Sequence, residues 1–513
     1  MEFKKCSGKA DGRAWLEKFF NRAWSNKTSI SPEVALIDAL QGLIGFTRGT
    51  GRDCALRTSR LALSSMDDGV KHVILCFDRQ DVVPIAKGAE QALRTKNAEL
   101  ANETQAVVIS NTEQKTSYRD LPSPGMWLDK YVPDDFTLGL QDRAGFRRDV
   151  IRFLVKEWLG SEDSSVRLQP HNSSVVIISG HCLRLDDLVE YDLSTLGLES
   201  GDDPEDFPIE ITPDIFQFRR DLKHRVGEGE MQFFSLLRQI NPKNALMIST
   251  DTDVCFLGLI YLRKYFGITA HDSNLRLHWR YDARCPQKKY CNLPYLFQDI
   301  QEGNFTAVAL MELSHSKHGE RGTDEASLRE RWKKNKDPVM QVVAAQALAG
   351  TDYTQGFLSL THESVFETML FTMPWIGDMV IDIEHRLLNP QAYIRLVIAS
   401  WIYSKQDKFP LVPPTHAVSN NAASDIASNQ AWQAHAIRAW EITAHRTLKM
   451  RFPHPVQNSG HFLSRALRWC YYMIMQLMVG ENSLDLPNDL TRWGFGPLTE
   501  TITHANVFPL LTC

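Results

Sequence analysis

The spacing of apolar and polar residues predicts an alternation of buried strands and amphipathic helices. Residues 73–78 read VILCFD, 175–179 read VVIIS and 245–250 read ALMIST. Each is a short apolar run of the kind carried by a parallel strand covered on both faces. The run VALIDALQGLIGF at 34–46 is similar and, like VILCFD, contains an aspartate. Segments of helix length with one apolar face lie between the runs, so an α/β sheet with helices on both sides is expected. Two stretches depart from this pattern. Residues 182–223, rich in acids and turn formers, are expected to form an insertion loop with one helical turn, and the charged residues 313–337 a solvated helix and loop. After about residue 375 the spacing is helical, with linker-like composition at 405–430. The expected division is one domain over 1–375, followed by a mostly helical region over 376–513.

Composition changes this picture little. Hydrophobic residues make up 43% and charged residues 23% of the 513, which are ordinary globular values. The chain has no run of about 18 apolar residues, so no membrane partner is expected. Its first residues lack the apolar segment of a secretion signal, which makes an intracellular address, in cytoplasm or nucleus, the expectation. Nine cysteines without a Cys-x-x-Cys pair read as reduced, mostly buried thiols. A net charge of −5 argues against wholesale coating of nucleic acid, while leaving local basic stripes able to grip phosphates.

Candidate chemistry is concentrated in RVGEGEMQFFSLLRQINPKNALMISTDTDVCFLGLIYL, where Glu228 and Glu230 precede a helix and Asp251 and Asp253 follow a strand. Residues just beyond the carboxyl ends of parallel strands, and at the helix starts facing them, share one crevice. Four carboxylates gathered there repel one another unless cations neutralise them. With no His or Cys beside them, these hard oxygen ligands favour Mg²⁺ or Mn²⁺ over zinc. Two such ions about 4 Å apart could clamp a scissile phosphate. Helix capping by the same acids is the simpler alternative.

Several blocks of sequence bear on that choice. SGH at 179–181, GEGE at 227–230, STDTDVCFLGL at 249–259 and ALAGTDYTQGFLSL at 347–360 resemble, in order, the signature blocks of the 5′→3′ exoribonuclease (Xrn) and flap endonuclease superfamily. Asp38 of VALIDAL and Asp78 of VILCFD are similar to that superfamily's first two metal-site aspartates. The resemblance covers roughly residues 10–375 and implies a PIN-like, FEN-like fold, a mostly parallel central sheet flanked by helices. It further implies one metal ion among Asp38, Asp78, Glu228 and Glu230, and a second among Glu230, Asp251, Asp253 and Asp352.

Directly after Asp78 comes RQDVVPIAKGAEQALRTKNAEL, in which Lys87, Gln91 and Arg94 fall on one face of a helix. Arg supplies a bidentate fork, Lys a point charge and Gln an amide donor, a set suited to a terminal or scissile phosphate. The resemblance implies a pocket for a 5′-monophosphate there, although Thr95 stands where the exoribonuclease branch tends to carry another arginine. LSL at 358–360 and SGH tilt the likeness toward that branch, whereas GTDY, Arg79 and Val226 tilt away from it. The expected function is therefore a two-metal 5′→3′ exonuclease acting on single-stranded RNA. A flap-type DNA 5′ nuclease is the alternative within catalysis, and a catalytically silent RNA-binding scaffold the alternative outside it. In the C-terminal region, interleaved aromatic and basic residues fit a helical core as well as a single-strand platform, and no role is assigned to them.

Overall fold

A computed structural model describes residues 10–44, 46, 49–67, 69–79, 82, 136–141, 145–160, 166–171, 173–180, 183–213, 215–270, 273–281, 288–315, 325–351, 360–404, 459–484, 486 and 493. Its centre is a nine-stranded sheet formed in chain order by β1 (Trp24–Ser25), β2 (Val34–Asp38), β3 (His72–Cys76), β4 (Val175–Ser179), β5 (Ile209–Ile211), β6 (Phe216–Phe218), β7 (Asn244–Ile248), β8 (Arg276–Arg280) and β9 (Tyr290–Asn292). Across the sheet the order is β1-β9-β8-β7-β2-β3-β4-β5-β6. The middle five strands are parallel, and antiparallel pairs close both edges. The class is α/β, as the apolar runs predict.

Alternate strand residues feed two cores, because successive side chains in a strand point to opposite faces. Leu36, Ile74, Cys76, Ile177 and Met247 face one side, packing with the helices Gly229–Ile240, Asp253–Phe266, Leu293–Glu302 and Pro338–Gln346. Ile37, Val73, Leu75, Ile178 and Ile248 face the other, packing with Gly51–Asp67 and Phe146–Gly160. The chain lays β1 at one edge and then enters the parallel part of the sheet at its middle strand, β2. It runs β2, β3, β4 outward with helices on the second face, then returns to place β7 and β8 on the other flank of β2 with helices on the first. This reversal is the switch point of a doubly wound sheet, and the crevice beyond the carboxyl ends of β2 and β7 is where such folds bind ligands.

The structure differs from the sequence reading in two places. The stretch expected to be a loop, 182–223, is not only a loop: its described residues supply β5 and β6, extending the sheet beyond β4, and bury Leu188, Leu196, Phe207, Ile209 and Phe218 in the second core. Several of the segment's acids are paired from within and from its neighbours, with Arg219 on Glu210 and Asp221, Arg220 on Asp202, Arg184 on Glu205 and Arg79 on Asp206. Nor is 313–337 wholly solvated, since the Glu325–Lys333 helix buries Leu328 and Trp332, whose indole N–H donates to the Ile300 carbonyl at 2.7 Å. Beyond residue 375, helices span Pro390–Ser404 and Ser459–Leu477, and β10 (Val380–Asp382) pairs with β11 (Leu387–Leu388). Trp469 lies in the first core, with its ring stacked on Tyr393 and its N–H donating to the Ala344 carbonyl. The described cysteines Cys54, Cys76, Cys255, Cys291 and Cys470 are buried free thiols. No helix among the described residues is long and apolar enough to cross a membrane.

Candidate active site

Six of the seven predicted carboxylates lie among the described residues, and all six stand at the carboxyl edge of the parallel strands or at the helix starts facing it. Asp38 closes β2 and is 9% exposed. Ser249, the residue after β7, brings its hydroxyl within 3.5 Å of Asp38 Oδ2 and accepts the Asp251 N–H at 3.0 Å, which ties Asp38 to Asp251 across the switch point. Asp251 Oδ1 accepts the Asp253 N–H at 2.9 Å, so Asp251 also serves the start of the Asp253–Phe266 helix. Its role as a helix-start acceptor is thus realised, and it leaves the second carboxylate oxygen to other partners.

Asp78 follows β3 by two residues. Its Oδ1 accepts the Gly229 N–H at 2.8 Å, fixing it beside Glu228 and Glu230 at the start of the Gly229–Ile240 helix. A Cβ on Gly229 would lie 3.3 Å from that oxygen, so glycine permits the close approach. Glu228 is the N-cap residue, 7% exposed, and its side chain does not cap the helix. Asp78 Oδ2 accepts from Arg147 Nη1 at 3.2 Å. Among the described residues, no three Asp, Glu, His or Cys side chains stand in ligating geometry around one point. The donor set nonetheless fits a hard divalent ion: the ligating groups that these strands and helix starts bring to the edge are carboxylates, and Asp38 and Glu228 are largely removed from water. Asp352, Lys87, Gln91, Arg94 and His181 lie outside the described residues.

A buried network beneath the carboxylates carries no signal in spacing. The Val226 N–H donates to His224 Nδ1 at 3.4 Å, which places the ring proton on Nε2, 2.7 Å from Ser179 Oγ. Ser179 in turn donates to Gln232 Oε1 at 2.8 Å, and Gln232 Nε2 donates to the Phe77 carbonyl at 2.8 Å and to the Val226 carbonyl at 3.2 Å. The chain of bonds joins the end of β4, the segment before the Gly229–Ile240 helix and the residue preceding Asp78. In SGH, therefore, the serine organises the site from below.

Burial, aided by the Arg79 charge, pushes His224 down to about 3. The unfolded chain takes up a proton near the ordinary value of about 6.5 while the native ring does not, so stability is complete above that pH and falls below it. Each pH unit between about 6 and 4 is expected to remove up to about 1.4 kcal/mol through this group. His278, which burial pushes down to about 4, adds to the same slope. Urea unfolding at successive pH values is expected to show a shallower acid limb for His224→Gln; an unaltered limb would rule out this origin.

Comparison with protein-family models and with curated proteins finds no match.

Proposed function

We propose that the protein is a divalent-metal-dependent 5′→3′ exonuclease that hydrolyses phosphodiester bonds in single-stranded RNA bearing a 5′-monophosphate. The observation that carries this reading is that Asp38, Asp78, Glu228, Glu230, Asp251 and Asp253, from four separate stretches of chain, all stand at the carboxyl ends of parallel strands or at the helix starts that follow. These six, with Asp352, would hold two Mg²⁺ or Mn²⁺ ions. Ions bound there would supply an activated water and neutralise charge on the scissile phosphate. The chain's own part is to orient the carboxylates through Ser249, Gly229 and the Ser179–His224–Gln232 network, and to present Lys87, Gln91 and Arg94 to the 5′ end.

The test is degradation of end-labelled RNA, single-stranded DNA and a 5′-flap duplex in Mg²⁺, each with a 5′-phosphate or 5′-hydroxyl. Preference for 5′-phosphorylated RNA supports the reading, and preference for the flap moves it to the DNA branch. Arg94→Ala is expected to slow cleavage of 5′-phosphorylated RNA about tenfold or more beyond its effect on 5′-hydroxyl RNA, since a charge-assisted bidentate contact would be lost. Equal losses on both would mean that Arg94 does not read the terminal phosphate. The pairing of Asp78 with Arg147 favours one further reading, a nuclease fold kept as an RNA-binding scaffold. RNA binding without any Mg²⁺- or Mn²⁺-dependent cleavage would decide for it.

A further inference from the structure

A cation is buried against one of these carboxylates. Arg147, 4% exposed, lies in the first turn of the Phe146–Gly160 helix, and its Nε donates to the Leu140 carbonyl at 2.6 Å while Nη1 donates to Asp78. Core packing gives no reason for this choice. A guanidinium is unfavourable when buried unless it is paired, and a cation in the first turn opposes the helix dipole. Further along the helix, Arg152 and Lys156 pair with Asp187. Arg79 pairs with Asp206 and Arg184 with Glu205. Arg147 is thus directed at Asp78 while these neighbouring cations serve other acids, and the orientation of the Asp78 carboxylate is also secured independently by the Gly229 N–H.

We propose that Arg147 is an internal counter-cation of the site. It neutralises Asp78 when no ion is bound, and it weakens divalent-ion binding there because guanidinium and ion must share one carboxylate at close range. The proposal rests on the reading of Asp78 as an ion ligand. Its consequence runs against the usual effect of deleting a polar group from a site: removing Arg147 should tighten the ion. Because Gly229 keeps hold of Asp78, the lost repulsion outweighs the lost hydrogen bond.

The test is calorimetric titration of the full chain with Mn²⁺ at fixed pH and salt, alongside circular dichroism to establish that each variant is folded. Arg147→Met is expected to bind Mn²⁺ about tenfold more tightly than the parent, and Arg147→Lys, which keeps the charge, about as tightly as the parent. Arg147→Gln, which can still donate a hydrogen bond, should follow Met and replaces it if Met fails to fold. Unchanged or weaker binding in the neutral variants would overturn the proposal. Asp251→Asn separates the two levels. If it weakens Mn²⁺ binding while the neutral Arg147 variants do not tighten it, only the counter-cation role falls. If the parent binds no Mn²⁺, or Asp251→Asn binds it as the parent does, the ion site fails and the proposal with it.

Discussion

Asp38→Asn and Asp251→Asn are each expected to lower Mg²⁺-dependent cleavage by about a thousandfold or more, equivalent to about 4 kcal/mol of transition-state stabilisation, while leaving the fold intact. The amide is nearly isosteric with the carboxylate. An amide at position 38 can still face the Ser249 hydroxyl, and its carbonyl oxygen at position 251 can still accept the Asp253 N–H, so these two contacts survive. What disappears is anionic charge at a crowded edge, whose removal relieves repulsion. Unfolding midpoints close to that of the parent are therefore expected together with lost turnover. Parent-like turnover in either variant would show that cleavage does not use these carboxylates.

Gly180→Ala is expected to be the most damaging single-methyl change in the described core, costing about 3 kcal/mol or more. Gly180 has φ +89°, and a Cβ there would lie 2.1 Å from the Phe77 carbonyl oxygen, which also accepts from Gln232. Backbone strain and collision act together, and the collision pushes on the segment that leads into Asp78. Gly201→Ala isolates the first effect, since Gly201 has φ +94° with nothing within 4 Å of the added carbon. It should cost only about 1 kcal/mol. Urea midpoints for the pair give the comparison. Equal losses would mean that the Phe77 segment yields freely to the new methyl.

Where the local pattern is strong, the fold is legible in the sequence. VVIIS is β4 residue for residue, because a strand buried on both faces needs an unbroken apolar run. VILCFD overshoots, as β3 ends at Cys76 and the chain then turns to present Asp78. β8, RLHWR, is hidden because arginines bracket it, although its middle three residues are buried. β5 and β6 are three residues each, too short for periodicity to register, and their acidic surroundings read as loop. At the site, the acids are readable because they sit in apolar frames. Arg147 is not: its partner is 69 positions away, and nothing near an arginine in sequence says that it will be buried. The partners of Ser179 lie 45 and 53 positions away, and those bonds exist only once the helix has docked on the sheet.

Entry of the chain into the parallel strands at their middle also sets a timetable for its synthesis. Asp38 and Ser249, which meet across the switch point, are separated by 211 positions. At roughly 5–20 residues per second, a ribosome needs about 10–40 s to make the intervening chain. Once β3 has followed, the nascent β2 has that strand on one flank and, until β7 is made, an unpaired row of amide and carbonyl groups on the other that any foreign strand could copy. The half-sheet must wait for its last central member, so sequestration of that flank by a chaperone during elongation should matter more to yield than any event after release.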